Sequence, residues 1–416
     1  MPLPVTDDHA SARVDARLTA ALAPGAIHSV YQPIVDLASG RPVAVEALAR
    51  PPLGGPEEVF DAARLADRVG ELDRACQLAA IAGARRAGLR APLFVNVEPD
   101  GITGGSLEGL DRTAAIAGGD VPLVLEITER ALTTRPAELI DLLARARAAG
   151  WGIALDDVGT DPRSLALLPV VRPDVVKLDR GLLQERPTAE AAATITAIAA
   201  ECERTGALVL AEGIEREDQR ALARALGATL GQGWLFGRPA PAPPPIAAGW
   251  RLPRVAELHP VTDGATPFTV VAGGGSSRRA SWPFLLQISH LLEAQALAQG
   301  PAGMLLSAFQ TADRFTPDTA VRYRRLAGGA AFVAALGVDM ATEPVSGVRG
   351  ARLPSEHPLR GEWSVVVLGP HFSGALVARE LPGGAPRPDF AFTVTYDRDR
   401  VVRAATSLMR QVARIA

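Results

Sequence analysis

The chain has 416 residues, which at ~150 residues per domain points to two or three domains. A formal net charge of −3 leaves no electrostatic footprint for a DNA or RNA polymer or for an anionic membrane surface. With 48% hydrophobic and 21% charged residues the chain is not disordered throughout. No apolar stretch approaches the roughly 20 residues that span a bilayer. The first residues, MPLPVTDDHASARVDARL, carry early acids and no apolar core of a secretory signal, so a cytoplasmic location is expected.

Residues 1–24 read as an N-terminal segment ahead of the first strand. From 25 to 240, short β-branched runs alternate with segments of helical period. The predicted strands are 28–37, 41–49, 93–97, 121–128, 152–158, 174–179, 207–213 and 228–236. Between them, Leu139, Leu142, Leu143 and Ala146 follow helical spacing, as do Ala191, Ile195, Ile198 and Cys202, with Thr188 a candidate N-cap. Cys76 and Cys202 both fall on such apolar stripes and read as small buried hydrophobes, not as a disulfide or a nucleophile. About eight strand–helix units imply parallel pairing and an α/β fold of the (β/α)8, TIM-like barrel type. A doubly wound sheet would show a Gly-rich turn after its first strand, and none is present.

Residues 241–281 are rich in Pro and then Gly and Ser, the pattern of a linker region. Beyond it, 282–416 reads as a smaller mixed α/β domain. Helices are predicted at 282–299 and over the last segment, and strands at 362–369 and 389–396. The run GPHFSGALVARELP between those strands is expected to be a turn and a helix. Asp397 and Asp399 form a D-x-D, for which a turn or surface ion pairs outweigh a cation site. Trp363, His371 and Tyr396 are candidates for a small pocket, with core packing the stronger competing reading.

Polar residues recur near the C-terminal ends of seven of the first eight strands: Glu46, Asn96, Glu126, Asp156 and Asp157, Lys177, Glu212 and Gln232. In a (β/α)8 barrel those ends meet on one face, where catalytic sites lie. Five carboxylates in one mouth must hold protons or be neutralised by cations, since two charges ~4 Å apart repel by about 4 kcal/mol at an effective dielectric of 20. A lone acid at a strand end is more often a helix cap or an ion-pair partner. Seven in register favour a metal site over a solvated rim. Oxygen donors select Mg²⁺ or Mn²⁺ over zinc, and the adjacent Asp156 and Asp157 can serve two neighbouring ions.

At these residues the chain resembles the EAL-domain family of cyclic di-GMP phosphodiesterases. The shared motifs are YQPIVDLASG at 31–40, Glu46-Ala47-Leu48 with Arg50, Asn96, Glu126–Glu129, Asp156-Asp157, DVVKLD at 174–179, AEGIE at 211–215 and QGWLFGRP at 232–239. The resemblance implies metal-dependent hydrolysis of cyclic di-GMP to linear pGpG by a homodimer formed through the barrel. It implies one metal held by Glu46, Asn96, Glu126 and Asp156, and a second by Asp156 with Asp157. Lys177, Glu212 and Gln232 would position or activate water. Gln32, Leu48, Arg50 and Arg238 would contact substrate, and Glu129 would anchor the loop after the paired aspartates.

That loop departs from the family. The usual D-D-F-G-T-G-Y-S-S-L is here DDVGTDPRSL, with Val158, Asp161, Pro162 and Arg163 at the changed positions, and Glu98 stands where the family often has Ser. Residues 322–327, 362–382 and 392–409 resemble, more loosely, the DICT sensory domain, which implies an input role. Two functions follow as expectations. One is a phosphodiesterase regulated by its C-terminal domain. The other is a weak or inactive cyclic di-GMP receptor that signals to a partner protein.

Overall fold

The computed structural model describes residues 16–101, 121–128, 130–185, 188–246, 249–262, 264–273, 277–382 and 389–412. Eight strands close into a barrel in chain order: β1 (His28–Asp36), β2 (Pro42–Arg50), β3 (Leu93–Asn96), β4 (Leu123–Ile127), β5 (Gly152–Val158), β6 (Val175–Leu178), β7 (Leu208–Ala211) and β8 (Leu230–Gln232). From β2 to β8 every neighbouring pair is parallel. The first strand differs. β1 runs antiparallel to both β2 and β8, which corrects the uniformly parallel pairing expected from the alternation. Only residues 37–41 join β1 to β2, far short of the dozen or more that a parallel crossover needs.

Among the helices around the barrel are α1 (Pro56–Leu65), α2 (Val69–Arg86), α3 (Pro136–Ala148), α4 (Ser164–Val171), α5 (Ala189–Thr205) and α6 (Glu217–Ala225). The expected stripe of α3 is its buried face: Leu139, Leu142, Leu143 and Ala146 all lie inside. Thr188 caps α5 by accepting the Ala191 N–H at 3.0 Å. One face of α4 would suffice for a surface helix, but all eight of its residues are buried.

The proline-rich stretch is not a free tether. Trp250 and Leu252 pack on the barrel interior beside Ile34, Val43, Phe94, Val124, Val175 and Leu230, closing its base. Asp174, fully buried, pins this strap. Its carboxylate accepts the Val255 N–H at 2.8 Å and the Ile153 N–H at 2.9 Å, and pairs with Arg147 at 2.7 Å. Arg254 adds hydrogen bonds to the carbonyls of Gly150 and Trp151.

The last part of the expected linker belongs to the second unit, as α7 (Pro267–Ala272) and β9 (Arg278–Ser281). They join α8 (Trp282–Ala298), β10 (Met304–Thr311), α9 (Pro317–Ala327), β11 (Phe332–Val338), β12 (Arg349–Leu353), β13 (Glu362–Leu368), β14 (Ser373–Glu380), β15 (Asp389–Thr395) and α10 (Arg398–Met409). The sheet order is β12-β11-β10-β13-β14-β15-β9. GPHFSGALVARELP was expected to hold a helix, yet its core is the strand β14. It lies between β13 and β15, antiparallel to both, with Gly374 to Ala378 buried. Ala and Leu favour a helix locally, but a strand covered on both faces needs no alternation, and pairing overrides the local preference.

The barrel and this sheet share one apolar core. Leu142, Leu167, Leu168 and Ile198 of the barrel helices belong to the same cluster as Leu306, Val366, Val402 and Leu408. The D-x-D makes a helix cap and an ion pair, as expected. Asp397 caps α10 through the Arg400 N–H at 3.0 Å, and Asp399 pairs across the junction with Arg172 at 3.0 Å. The aromatic trio separates: Trp363 is buried, while His371 and Tyr396 are exposed. No helix among the described residues is long and apolar enough to cross a membrane.

Asp174→Ala would strand the Arg147 guanidinium and two backbone N–H groups in a buried site and release the strap. Urea unfolding is expected to show a loss of about 3–5 kcal/mol, with Asp174→Asn in between.

Candidate functional site

Because β2 to β8 run the same way, their C-terminal ends share a rim, and antiparallel β1 adds Gln32 to it by pairing with Glu46. β5 carries the decisive irregularity. On a regular strand neighbouring side chains point to opposite faces. Here the register slips between Leu155 and Val158, and Asp157 takes a left-handed φ of 54°. Asp tolerates that conformation better than most residues. The result is that one carboxylate oxygen each from Asp156, Asp157 and Glu212 lie within 4.8 Å of one another.

Lys177 rises into the middle of this group with 1% of its side chain exposed. Its Nζ lies 2.6 Å from Glu126, 2.8 Å from Asp156, 2.9 Å from Glu212 and 3.8 Å from Glu46. Burial alone would lower its pKa, but Asp156, Glu126, Glu212 and Glu46 outweigh it and hold the ammonium charged well above the usual lysine range. The acids respond in the opposite sense. Burial, reinforced by Glu46, pushes Glu126 well above the carboxylate range, and burial pushes Glu212 up to about 8 against the pull of Lys177.

Two amides tie the ring together. Gln232 donates to Glu46 at 2.5 Å and lies 3.1 Å from the Gln32 side-chain oxygen. Asn96 donates to Glu46 at 3.4 Å. A cavity of about 410 Å³ adjoins them, lined by Leu48, Arg50, Phe60, Gln77 and Asn96, so Leu48 and Arg50 lie on its wall. Arg238 is exposed and stacked 3.9 Å from the Trp234 ring. Glu129 lies outside the described residues.

Sequence reasoning missed Asp73 and Gln77. The Gln77 amide bridges the Asp73 carboxylate at 2.9 Å and the Asn96 carbonyl at 3.2 Å, bracing the end of β3 from behind. Burial, then Glu98, drives the Asp73 pKa well up. Their signal was faint: two polar residues one helical turn apart on a buried face. The altered loop closes on itself, with Arg163 gripping Asp161 at 2.9 Å and Val158 filling the core. Glu98 pairs with Arg64 at 3.1 Å.

With all five carboxylates ionised, one ammonium leaves four negative charges in excess, which two divalent cations would balance. The donors are all oxygen. Both Glu126 oxygens are buried without a regular hydrogen bond, the ammonium contact aside. This set fits a hard divalent cation.

The family model described as the EAL domain matches residues 15–239, more than half of the chain. This chain belongs to the EAL-domain family. A second model, described as a sensory domain in diguanylate cyclases and two-component systems, matches residues 273–381, the sheet packed beside the EAL barrel. Cyclic di-GMP phosphodiesterase RocR of Pseudomonas aeruginosa is 31% identical over 229 residues, 52% of this chain and 58% of that protein. Cyclic di-GMP phosphodiesterase NbdA of the same organism is 33% identical over 243 residues, 55% of this chain and 31% of that protein. The matches therefore span less than two thirds of these relatives. Among solved structures, the EAL enzyme Bd1971 in its cAMP- and cyclic-di-GMP-bound form shares the fold, with a TM-score of 0.50 at 22% identity, covering 57% of this chain and 68% of that one.

A cation must displace protons from Glu126 and Glu212, whose pKa values are raised, so its affinity should rise with pH and binding should release protons. Titration calorimetry with Mn²⁺ at several points between about pH 6 and 9, in two buffers of different ionisation enthalpy, checks both.

Proposed function

We propose that the EAL barrel hydrolyses one phosphodiester bond of cyclic di-GMP to give linear pGpG, using two Mg²⁺ or Mn²⁺ ions. The observation that carries this reading is Lys177 ringed by Glu126, Asp156, Glu212 and Glu46 at the strand-end rim. Glu46, Asn96, Glu126 and Asp156 are the residues to hold one ion, and Asp156 with Asp157 the second, with Glu212 close enough to join them. When bound, such ions neutralise the phosphate and sharpen the nucleophilicity of water.

The chain's own groups do the rest. Lys177 holds a full positive charge without exchanging its proton, so it orients water and offsets charge on the reacting phosphate and does not serve as a base. Glu212, 2.9 Å from the Lys177 ammonium and beside the paired aspartates, is placed to accept the proton that water loses on attack once its own proton has been displaced. Gln232 fixes Glu46 in place. Arg50, at the edge of the adjoining cavity, offers a planar fork to the substrate's second phosphate. Leu48 and Phe60 supply apolar wall for a base, and Gln32 lines the rim beside them.

The altered loop favours a second reading, a receptor that binds cyclic di-GMP without turnover. Asp161 and Arg163 grip each other next to the paired aspartates, and the loop runs directly into α4, which is wholly buried. Helices α4 and α10 contact each other, so the C-terminal domain has a direct purchase on the segment that carries Asp157. Regulation through this contact, a homodimer through the barrel and a signalling partner protein belong to the same proposal.

Purified chain with Mn²⁺ is expected to convert cyclic di-GMP to pGpG, followed by anion-exchange chromatography. Glu46→Ala should abolish product. Lys177→Met should lower kcat by roughly 10²–10⁴ while cyclic di-GMP still binds. Tight binding by the unaltered chain with no product would install the receptor reading.

A further inference from the structure

The C-terminal sheet changes direction at β10. On one side β11 is parallel to it and reached through α9; on the other β13 is antiparallel, and α8 arrives from β9 at the far edge. Helices α8 and α9 pack on the same sheet face, away from the barrel, α8 leading into β10 and α9 leading out of it. The carboxyl end of β10 and the segment that follows it meet the first half of α8 around one crevice. A cavity of about 400 Å³ lies there, within the size range of small-molecule sites.

Its construction is specific. Trp282 of α8, Phe309 of β10 and Trp363 of β13 supply three aromatic walls. Ordinary core packing would have closed over them. A bulge between Ala308 and Thr311, with Gln310 at a φ of 66°, brings Gln310 into the lining, where its amide is tied to Glu380 at 2.8 Å. Glu293, only 7% exposed, is balanced by Arg322 at 2.9 Å. The His290 ring also lines the cavity. The ring is half-buried and adds a fourth flat wall.

We propose that this cavity is a ligand site for a neutral or singly cationic aromatic molecule of one or two rings, held among Trp282, His290, Phe309 and Trp363. Three aromatic walls select a planar ring. The sign of charge follows from the other groups. With Glu293 and Arg322 cancelling, the rim sets Asp313 and Asp318 against Arg314, an excess of one negative charge that disfavours an anion. A positive group is further favoured by the indole faces.

The test uses the full chain and three probes of one ring system: indole, tryptamine and indole-3-acetate, each titrated by calorimetry. Indole and tryptamine should bind saturably at one site per chain, and indole-3-acetate at least about tenfold more weakly. His290→Ala and Trp282→Ala, checked for an unchanged melting temperature, should each weaken indole binding by about tenfold. A conservative Trp282→Phe should restore most of the affinity. Failure of all three probes to saturate the unaltered chain, preference for the anion, or binding that neither folded variant weakens would overturn the assignment. Only binding is read, so the outcome stands apart from the reading of the barrel.

Discussion

The contact of the Lys177 ammonium with Glu126, Asp156 and Glu212, all within 3 Å, governs everything at the barrel rim. At an effective dielectric of ~20 each such contact is worth a few kcal/mol, and each carboxylate pair at similar separation opposes it by a similar amount. One cation cannot settle five anions. The strand ends hold the side chains in place regardless, because the barrel's hydrogen bonding and its packed interior fix the backbone from which they project. The strain is confined to one place, as expected of a site built for further positive charge.

Rigidity at the rim is supplied from the far end. Asp174, one residue before β6, draws Val255 of the strap, Ile153 of β5 and Arg147 of α3 into a single buried knot. The strap then lays Trp250 and Leu252 across the barrel base. Thus β5 and β6, which deliver Asp156, Asp157 and Lys177, are anchored at their starts by one carboxylate. The same segment leads into the C-terminal domain, whose core is continuous with the barrel's. The geometry of the rim and the domain arrangement therefore share a mechanical foundation.

Much of the barrel was legible because strands buried on both faces leave uninterrupted β-branched runs, and each run ended on a polar residue. Less legible was β14, whose Ala-Leu-Val core is locally neutral between helix and strand and was decided by partners on either side. Asp73 and Gln77 escaped notice because nothing in the spacing of two polar residues on a helix says that they face a strand end. Arg238 carries a family motif, and its guanidinium stacks on Trp234 at the surface. A motif states which residue is present and not where its side chain goes.

Sequence by itself determined the order of the strands, the identity of the acids and the single lysine among them, because periodicity and strand-end position are local properties. Tertiary structure alone decided that β1 runs against its neighbours, that a bulge at Asp157 turns two adjacent carboxylates to one side, and that a proline-rich stretch seals the barrel. Each of those depends on groups far apart in the chain meeting across a closed surface. No local pattern encodes such a meeting; the geometry of closure does.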